Sequence, residues 1–230
     1  MLVFAHRGAS ADAPENTLAA IEEALKQQAD GIEVDIQQVD QEFIVFHDRE
    51  MSRRTNGTGL LKDYSLSELQ ALDAGQGQNI PTLWQLLEAI NGRCLVNLEL
   101  KRITDVALLH DIIDQAIQSL NFTAEQFIIS SFDHHLLLAT QQLAPHIKIA
   151  ALTASKPVEY AAFAQSLNAY SVNVDMTCLD QHFVQDAKRR GLKIMVYTVD
   201  EPKELLQLKE WQVDGVFSNS PQRSLQILRT

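Results

Sequence analysis

Short β-rich runs alternate with amphipathic helical stretches from one end of the chain to the other, which is the pattern of a parallel sheet covered by helices. The strand runs are 2–5, 31–36, 95–100, 127–131, 147–152, 171–174, 193–199 and 213–217, and helical stretches include 17–28, 83–90, 106–119, 134–143 and 183–190. Eight strand candidates favour a closed (β/α)8 TIM barrel over an open doubly wound sheet. A length of 230 residues suits one such barrel, so residues 1–230 are expected to form a single domain. Hydrophobic content of 46% against 21% charged residues supplies a sizeable core.

Helix starts support this phasing. Thr82-Leu83-Trp84-Gln85 has the form of a capping box, and Ser220-Pro221 places a cap before a proline at the first helical position. Asp30-Gly31-Ile32 recurs as Asp214-Gly215-Val216, each opening a strand, and hints at the internal repetition of a barrel. One segment breaks the rhythm. Residues 47–80 are polar and rich in glycine, too long for an ordinary βα loop, with at most one short helix after Ser65. They read as an insertion after the second strand, on the catalytic rim.

The net charge of -11 argues against nucleic acid or an anionic membrane as a partner, because the far field repels polyanions. An anionic substrate needs a local cationic trap. No run approaches the ~18 apolar residues of a membrane span, and no basic amphipathic helix offers stable membrane association. Met1 to Ala5 run directly into chemistry at His6, so no leader and a cytoplasmic location are expected. Cys94 and Cys178 form neither a CxxC pair nor a disulfide framework and read as buried thiols.

In Gly31-Ile32-Glu33-Val34-Asp35-Ile36 the acids alternate with apolar residues, so both carboxylates project to one face and the apolar set faces the helices. Leu98-Glu99-Leu100-Lys101 repeats the device. A solvated antiparallel strand would show the same alternation, but two such strands, each acidic near its C-terminal end, point to a barrel mouth. Convergent Glu33, Asp35 and Glu99 suit a hard divalent cation such as Mg²⁺ or Ca²⁺; zinc would recruit more His or Cys. Like charges ~4 Å apart cost roughly 4 kcal/mol per pair at an effective dielectric near 20, so such a cluster calls for a cation.

His6-Arg7-Gly8 follows the first strand directly, and Val45-Phe46-His47-Asp48 brings a second histidine to the end of another β-like run. Arg grips phosphate oxygens bidentately, glycine admits close backbone approach, and two imidazoles flanking a phosphorus atom can remove one proton and deliver another near neutral pH. His110, His134, His135, His146 and His182 lack such company and read as surface or satisfied residues.

The ordered set His6-Arg7-Gly8, Pro14-Glu15-Asn16-Thr17, Glu33-Val34-Asp35, His47-Asp48, Thr55-Asn56-Gly57, Pro81-Thr82-Leu83 and Glu99-Leu100-Lys101 resembles the glycerophosphodiester phosphodiesterase family. The second half matches more loosely, through Ser130-Ser131-Phe132, Val196-Tyr197-Thr198-Val199 and Asp214-Gly215-Val216. The resemblance implies metal-dependent hydrolysis of a small-molecule glycerophosphodiester to sn-glycerol 3-phosphate and an alcohol. It assigns the metal to Glu33, Asp35 and Glu99, the phosphate to Arg7 and Lys101, and proton exchange to His6 and His47. Tyr197 stands where the family usually has Trp, near the alcohol part of the substrate, keeping an aromatic wall and adding a hydroxyl. Asn16 is either a helix cap or, beside the site, a substrate contact. Lysophospholipid hydrolysis, a noncatalytic phosphodiester-binding barrel and a metal-dependent lyase or aldolase are the rival readings.

Overall fold

Side chains that alternate between two faces along each strand let eight parallel strands enclose one core and present another to the helices. The computed structural model describes residues 1–229. Its strands are β1 (Leu2–His6), β2 (Gly31–Val39), β3 (Glu42–Val45), β4 (Leu95–Arg102), β5 (Phe127–Ser131), β6 (Lys148–Thr153), β7 (Ser171–Asp175), β8 (Lys193–Tyr197) and β9 (Gly215–Ser218). They pair in the order β1-β9-β8-β7-β6-β5-β4-β2, and β1–β2 pairing closes the ring; β3 lies antiparallel against β2 outside it. The expected barrel is therefore the observed fold.

Helices α1 (Leu18–Lys26), α3 (Leu83–Ile90), α4 (Val106–Ser119), α5 (His134–Leu143), α6 (Ala162–Ser166), α7 (Gln181–Arg189), α8 (Pro202–Glu210) and α9 (Pro221–Arg229) follow the barrel strands, while α2 (Leu66–Ala71) belongs to the excursion. Ile32, Val34 and Ile36 of β2 pack in one cluster with Ile21, Leu86, Leu87, Leu109 and Ile113 of α1, α3 and α4, so the apolar face of the acidic strand meets the helices. Thr82 closes a capping box on α3, and Pro221 is the first residue of α9. No helix of the described residues is long and apolar enough to cross a membrane.

Inside the barrel the two ends differ. Phe4, Ile128, Ala150, Met195 and Phe217 plug the lower half, and the Phe4 and Phe217 ring centroids lie 5.3 Å apart. One layer above, the inward positions turn polar: His6, Glu33, Asn97, Ser130 and Asn173. The Asp-Gly repeat explains how the plug is seated. Asp30 accepts from the Val3 amide at 2.9 Å, and Asp214 accepts from the Ile194 amide at 3.0 Å, so each aspartate latches the neighbouring strand. The glycine that follows leaves room inside: a Cβ on Gly31 would lie 2.3 Å from the Phe4 ring.

The excursion has a core of its own, formed by Val39, Ile44, Phe46, Met51, Leu61, Leu69 and Ile80. It departs earlier than residue 47, because β3 folds back on β2 with Val45 opposite Ile36. A 3-10 turn at Leu61–Asp63 joins the one short helix expected after Ser65.

Three local readings need correction. Thr17, not Asn16, caps α1, its hydroxyl accepting from the Ala20 amide, because Asn16 sits at φ 59° with its amide turned toward β2. Cys94 and Cys178 are free but half-buried rather than buried, lying where strand or 3-10 turn meets the surface. His110 is buried on α4, and among the described residues its Nε2 has no hydrogen-bond partner, so it is neither a surface nor a satisfied residue.

The contact between Gly31 and Phe4 is testable. Gly31→Ala is expected to destabilise the protein by about 1–3 kcal/mol in urea unfolding, through overpacking. Combining it with Phe4→Leu should cost less than the sum of the two single changes, by about 1 kcal/mol. Additive losses would show that the ring and the missing Cβ are not coupled.

Candidate active site

Strand register assembles the acids. Parallel pairing places Asp35 beside Glu99 and His6 beside Glu33, and the two-residue period keeps all four side chains at the barrel mouth. Glu33, Asp35 and Glu99 each offer an oxygen to a group whose atoms lie within 4.8 Å of one another. All three are buried, Asp35 completely.

Cations answer part of this charge. Arg7 Nε lies 3.1 Å from Asp35 Oδ2, and Lys101 Nζ lies 3.2 Å from Asp35 Oδ1 while also contacting Glu99. Asn16 adds Nδ2 to Asp35 Oδ2 at 2.9 Å and accepts from the Asp35 amide at 3.3 Å, so both ends of its side chain orient this carboxylate. Burial alone would raise Asp35, but Lys101 and Arg7 outweigh it and hold the carboxyl below its usual value. Glu33 goes the other way: burial, then the charges of Asp35 and Glu99, push it well above the usual carboxylate range. Glu99 is raised by burial and by Asp35, with Lys101 opposing.

The cluster fits a hard divalent cation. Glu33 Oε2 accepts from the Arg7 amide at 3.0 Å, but among the described residues nothing donates to the buried Oε1. An orphaned carboxylate oxygen beside two further carboxylates is a donor set of the type that Mg²⁺ or Ca²⁺ takes.

The two histidines meet this cluster from different scaffolds. His6 ends β1, with Nε2 4.0 Å from Glu33 Oε2 and Nδ1 2.8 Å from Asn219 Oδ1. Asn219 is itself fixed, its Nδ2 donating to Asp200 Oδ2 at 2.7 Å and its backbone amide to Asp200 Oδ1 at 2.8 Å. Its Oδ1 is therefore an acceptor, so Nδ1 of His6 carries the proton and Nε2 presents a lone pair to the mouth. Burial, then the Arg7 guanidinium, pushes His6 below the usual imidazole value.

His47 stands just past β3. Gln37 of β2 donates through Nε2 to the carbonyls of Phe46 at 2.8 Å and Asp48 at 2.9 Å, and the Phe46 amide donates to the Asp35 carbonyl at 3.0 Å. These bonds pin the segment on either side of His47 to the strand that carries the acids. His47 Nδ1 lies 2.6 Å from Asp48 Oδ1, which leaves Nε2 available.

The remaining sequence candidates also lie at the mouth. Arg7, at φ 61°, pairs through Nη1 with Glu15 Oε1 at 2.8 Å. The Tyr197 hydroxyl donates to the Thr153 carbonyl at 2.9 Å, so the group gained over an unsubstituted ring is tied to β6. Its ring stands edge-on to Phe132 at 6.1 Å, and Phe132 lies 5.8 Å from Lys101 Nζ. Burial, then Asp175, pushes the Tyr197 phenol above its usual value. Residues the sequence did not mark are Asn219, Asp200 and Gln37, which orient the histidines or their backbone; their one signal is position, Asn219 and Asp200 just beyond β9 and β8 and Gln37 in the last part of β2.

Known proteins resemble this chain along nearly its whole length. The model of the glycerophosphoryl diester phosphodiesterase family matches residues 6–223. A glycerophosphodiester phosphodiesterase of Caldanaerobacter subterraneus is 37% identical over 99% of this chain and 98% of its own length. One from Bacillus altitudinis is 32% identical over 98% and 97%. Among solved structures, an Oleispira antarctica phosphodiesterase in complex with the product sn-glycerol-3-phosphate has a TM-score of 0.92 at 30% identity, covering 100% of this chain and 97% of that one. With its closed barrel, its acids at the strand ends and this agreement along nearly all its length, the chain belongs to the glycerophosphoryl diester phosphodiesterase family.

Proposed function

We propose that this glycerophosphodiester phosphodiesterase is metal-dependent, releases sn-glycerol 3-phosphate and an alcohol, and uses His6 and His47 as its acid/base pair. The observation that carries this reading is the placement of His6: its Nδ1 is locked on Asn219 and its Nε2 faces the Glu33 carboxylate at 4.0 Å. The Oleispira relative, which holds sn-glycerol-3-phosphate, supports the product.

Glu33, Asp35 and Glu99 would hold one divalent cation, Mg²⁺ or Ca²⁺. Bound there, it supplies Lewis-acid stabilisation of the phosphoryl oxygens. Arg7 and Lys101, already at the mouth, neutralise the remaining phosphate charge; Lys101 turns from Asp35 and Glu99 to do so. His6 Nε2 takes the proton of the attacking oxygen as that oxygen bonds to phosphorus; water gives sn-glycerol 3-phosphate directly, whereas the glycerol 2-hydroxyl gives a cyclic phosphate that water then opens with the two histidines in exchanged roles. His47 gives a proton to the alcohol oxygen as its bond to phosphorus breaks. A lowered pKa keeps His6 unprotonated near neutral pH, as a base requires. Tyr197 and Phe132 flank the alcohol, and Asn16 acts by orienting Asp35.

Replacing His6 or His47 by Ala should lower turnover of glycerophosphocholine by about 10²-fold or more with an unchanged melting temperature. The leaving group separates the roles: a p-nitrophenyl ester, which departs without protonation, should rescue His47→Ala and not His6→Ala. Rescue of His6→Ala alone would reverse the assignment. Exhaustive chelation should silence the enzyme, and Mg²⁺ or Ca²⁺ should restore it; full activity of the chelated protein would refute the carboxylates as a metal site.

A further inference from the structure

Arg53, on the excursion, grips both oxygens of Asp48. Its Nε donates to Oδ2 and its Nη2 to Oδ1 at 2.7 Å, a planar fork on a planar carboxylate. The same Oδ1 faces His47 Nδ1 at 2.6 Å. The chain of contact therefore runs from a half-exposed guanidinium, through a largely buried carboxylate, to an imidazole at the mouth. Arg53 Nη2 also lies 3.4 Å from Glu15 Oε1, which Arg7 shares, while Arg54 pairs with Glu15 Oε2.

Stability gives little reason for this arrangement. An ion pair with one partner 47% exposed contributes little after screening and side-chain entropy. Orientation is a better account. Asp48 has a short side chain whose carboxyl plane turns easily about its last bond, and one hydrogen bond to His47 does not fix that plane. The guanidinium fork does, and it holds Oδ1 where it must accept from Nδ1–H. With Nδ1 held on Oδ1, Nε2 is the ring nitrogen left available for proton transfer. Arg53 is the counterpart of Asp200 on the other side of the mouth: each fixes the residue that fixes a histidine.

We propose that Arg53 is a positioning residue for His47, acting through Asp48. The proposal rests on the reading of His47 as half of the acid/base pair. The test is steady-state kinetics of the metal-loaded full chain on glycerophosphocholine, with Arg53→Ala, Arg53→Lys and His47→Ala alone and Arg53→Ala combined with His47→Ala. Arg53→Ala should lower kcat by about tenfold to a hundredfold with KM within about twofold and the melting temperature unchanged. Arg53→Lys, which brings the charge without the fork, should recover only part of the loss, and added guanidinium ion at millimolar concentration should restore Arg53→Ala further. In the His47→Ala background, Arg53→Ala should cost nothing more. An unchanged kcat in Arg53→Ala, or an equal loss in both backgrounds, would overturn the proposal while an impaired His47→Ala left the acid/base reading standing. Full turnover by His47→Ala would instead remove that reading and this proposal with it.

Discussion

Negative charge that cannot disperse organises the mouth of this barrel. Glu33, Asp35 and Glu99 converge because β1, β2 and β4 are in parallel register and inward positions recur every second residue. None of the three can pass to the outer face of the sheet without breaking that register. The surrounding residues are so placed as to answer them: Arg7 in a left-handed turn, Lys101 one inward step beyond Glu99, and Asn16 with both ends of its amide on Asp35. The opposite directions of Asp35 and Glu33 follow from this, since Lys101 and Arg7 pair directly with Asp35 while Glu33 keeps one oxygen unanswered.

The histidines show one solution reached twice. Each has its Nδ1 held by an oxygen acceptor and its Nε2 left available, and in each case the acceptor is itself held. The supports differ in rigidity. Around His6 they come from β1, the turn after it, and the segments that follow β8 and β9, so the imidazole moves only if the barrel does. Around His47 they come from the excursion and from Gln37, which reaches out of β2 to hold two carbonyls.

What could be read from the sequence follows the range of the interactions. Alternation is a local signal, and it disclosed which side of β2 and β4 bears the acids. The capping box at Thr82 and the helix start at Pro221 are equally local. Asn16 and Thr17 both have capping chemistry, and only the distant Asp35 decides between them. Asn219 lies at the far end of the chain from His6, and no periodicity links them. The β-like run that leads to His47 was legible, but not its antiparallel pairing with the end of β2, since an alternating run gives no sign that the chain turns back. The Asp-Gly pairs were visible as a repeat, but their reason, a latch on the neighbouring strand and a vacancy for an aromatic ring, needed the closed ring.

The separate core of the excursion has an evolutionary consequence. Val39, Ile44, Phe46, Met51, Leu61, Leu69 and Ile80 pack with one another and not with the main helix–barrel layer. Mutations in that patch act first on its own packing, while Phe43 and Val45 of β3, which belong to the main cluster, tie it to the barrel. His47 thus stands between two supports, the excursion on one side and, through Gln37 and the Asp35 carbonyl, the strand that carries the acids on the other. A lineage can remodel what approaches His47 without renegotiating the fold that holds His6.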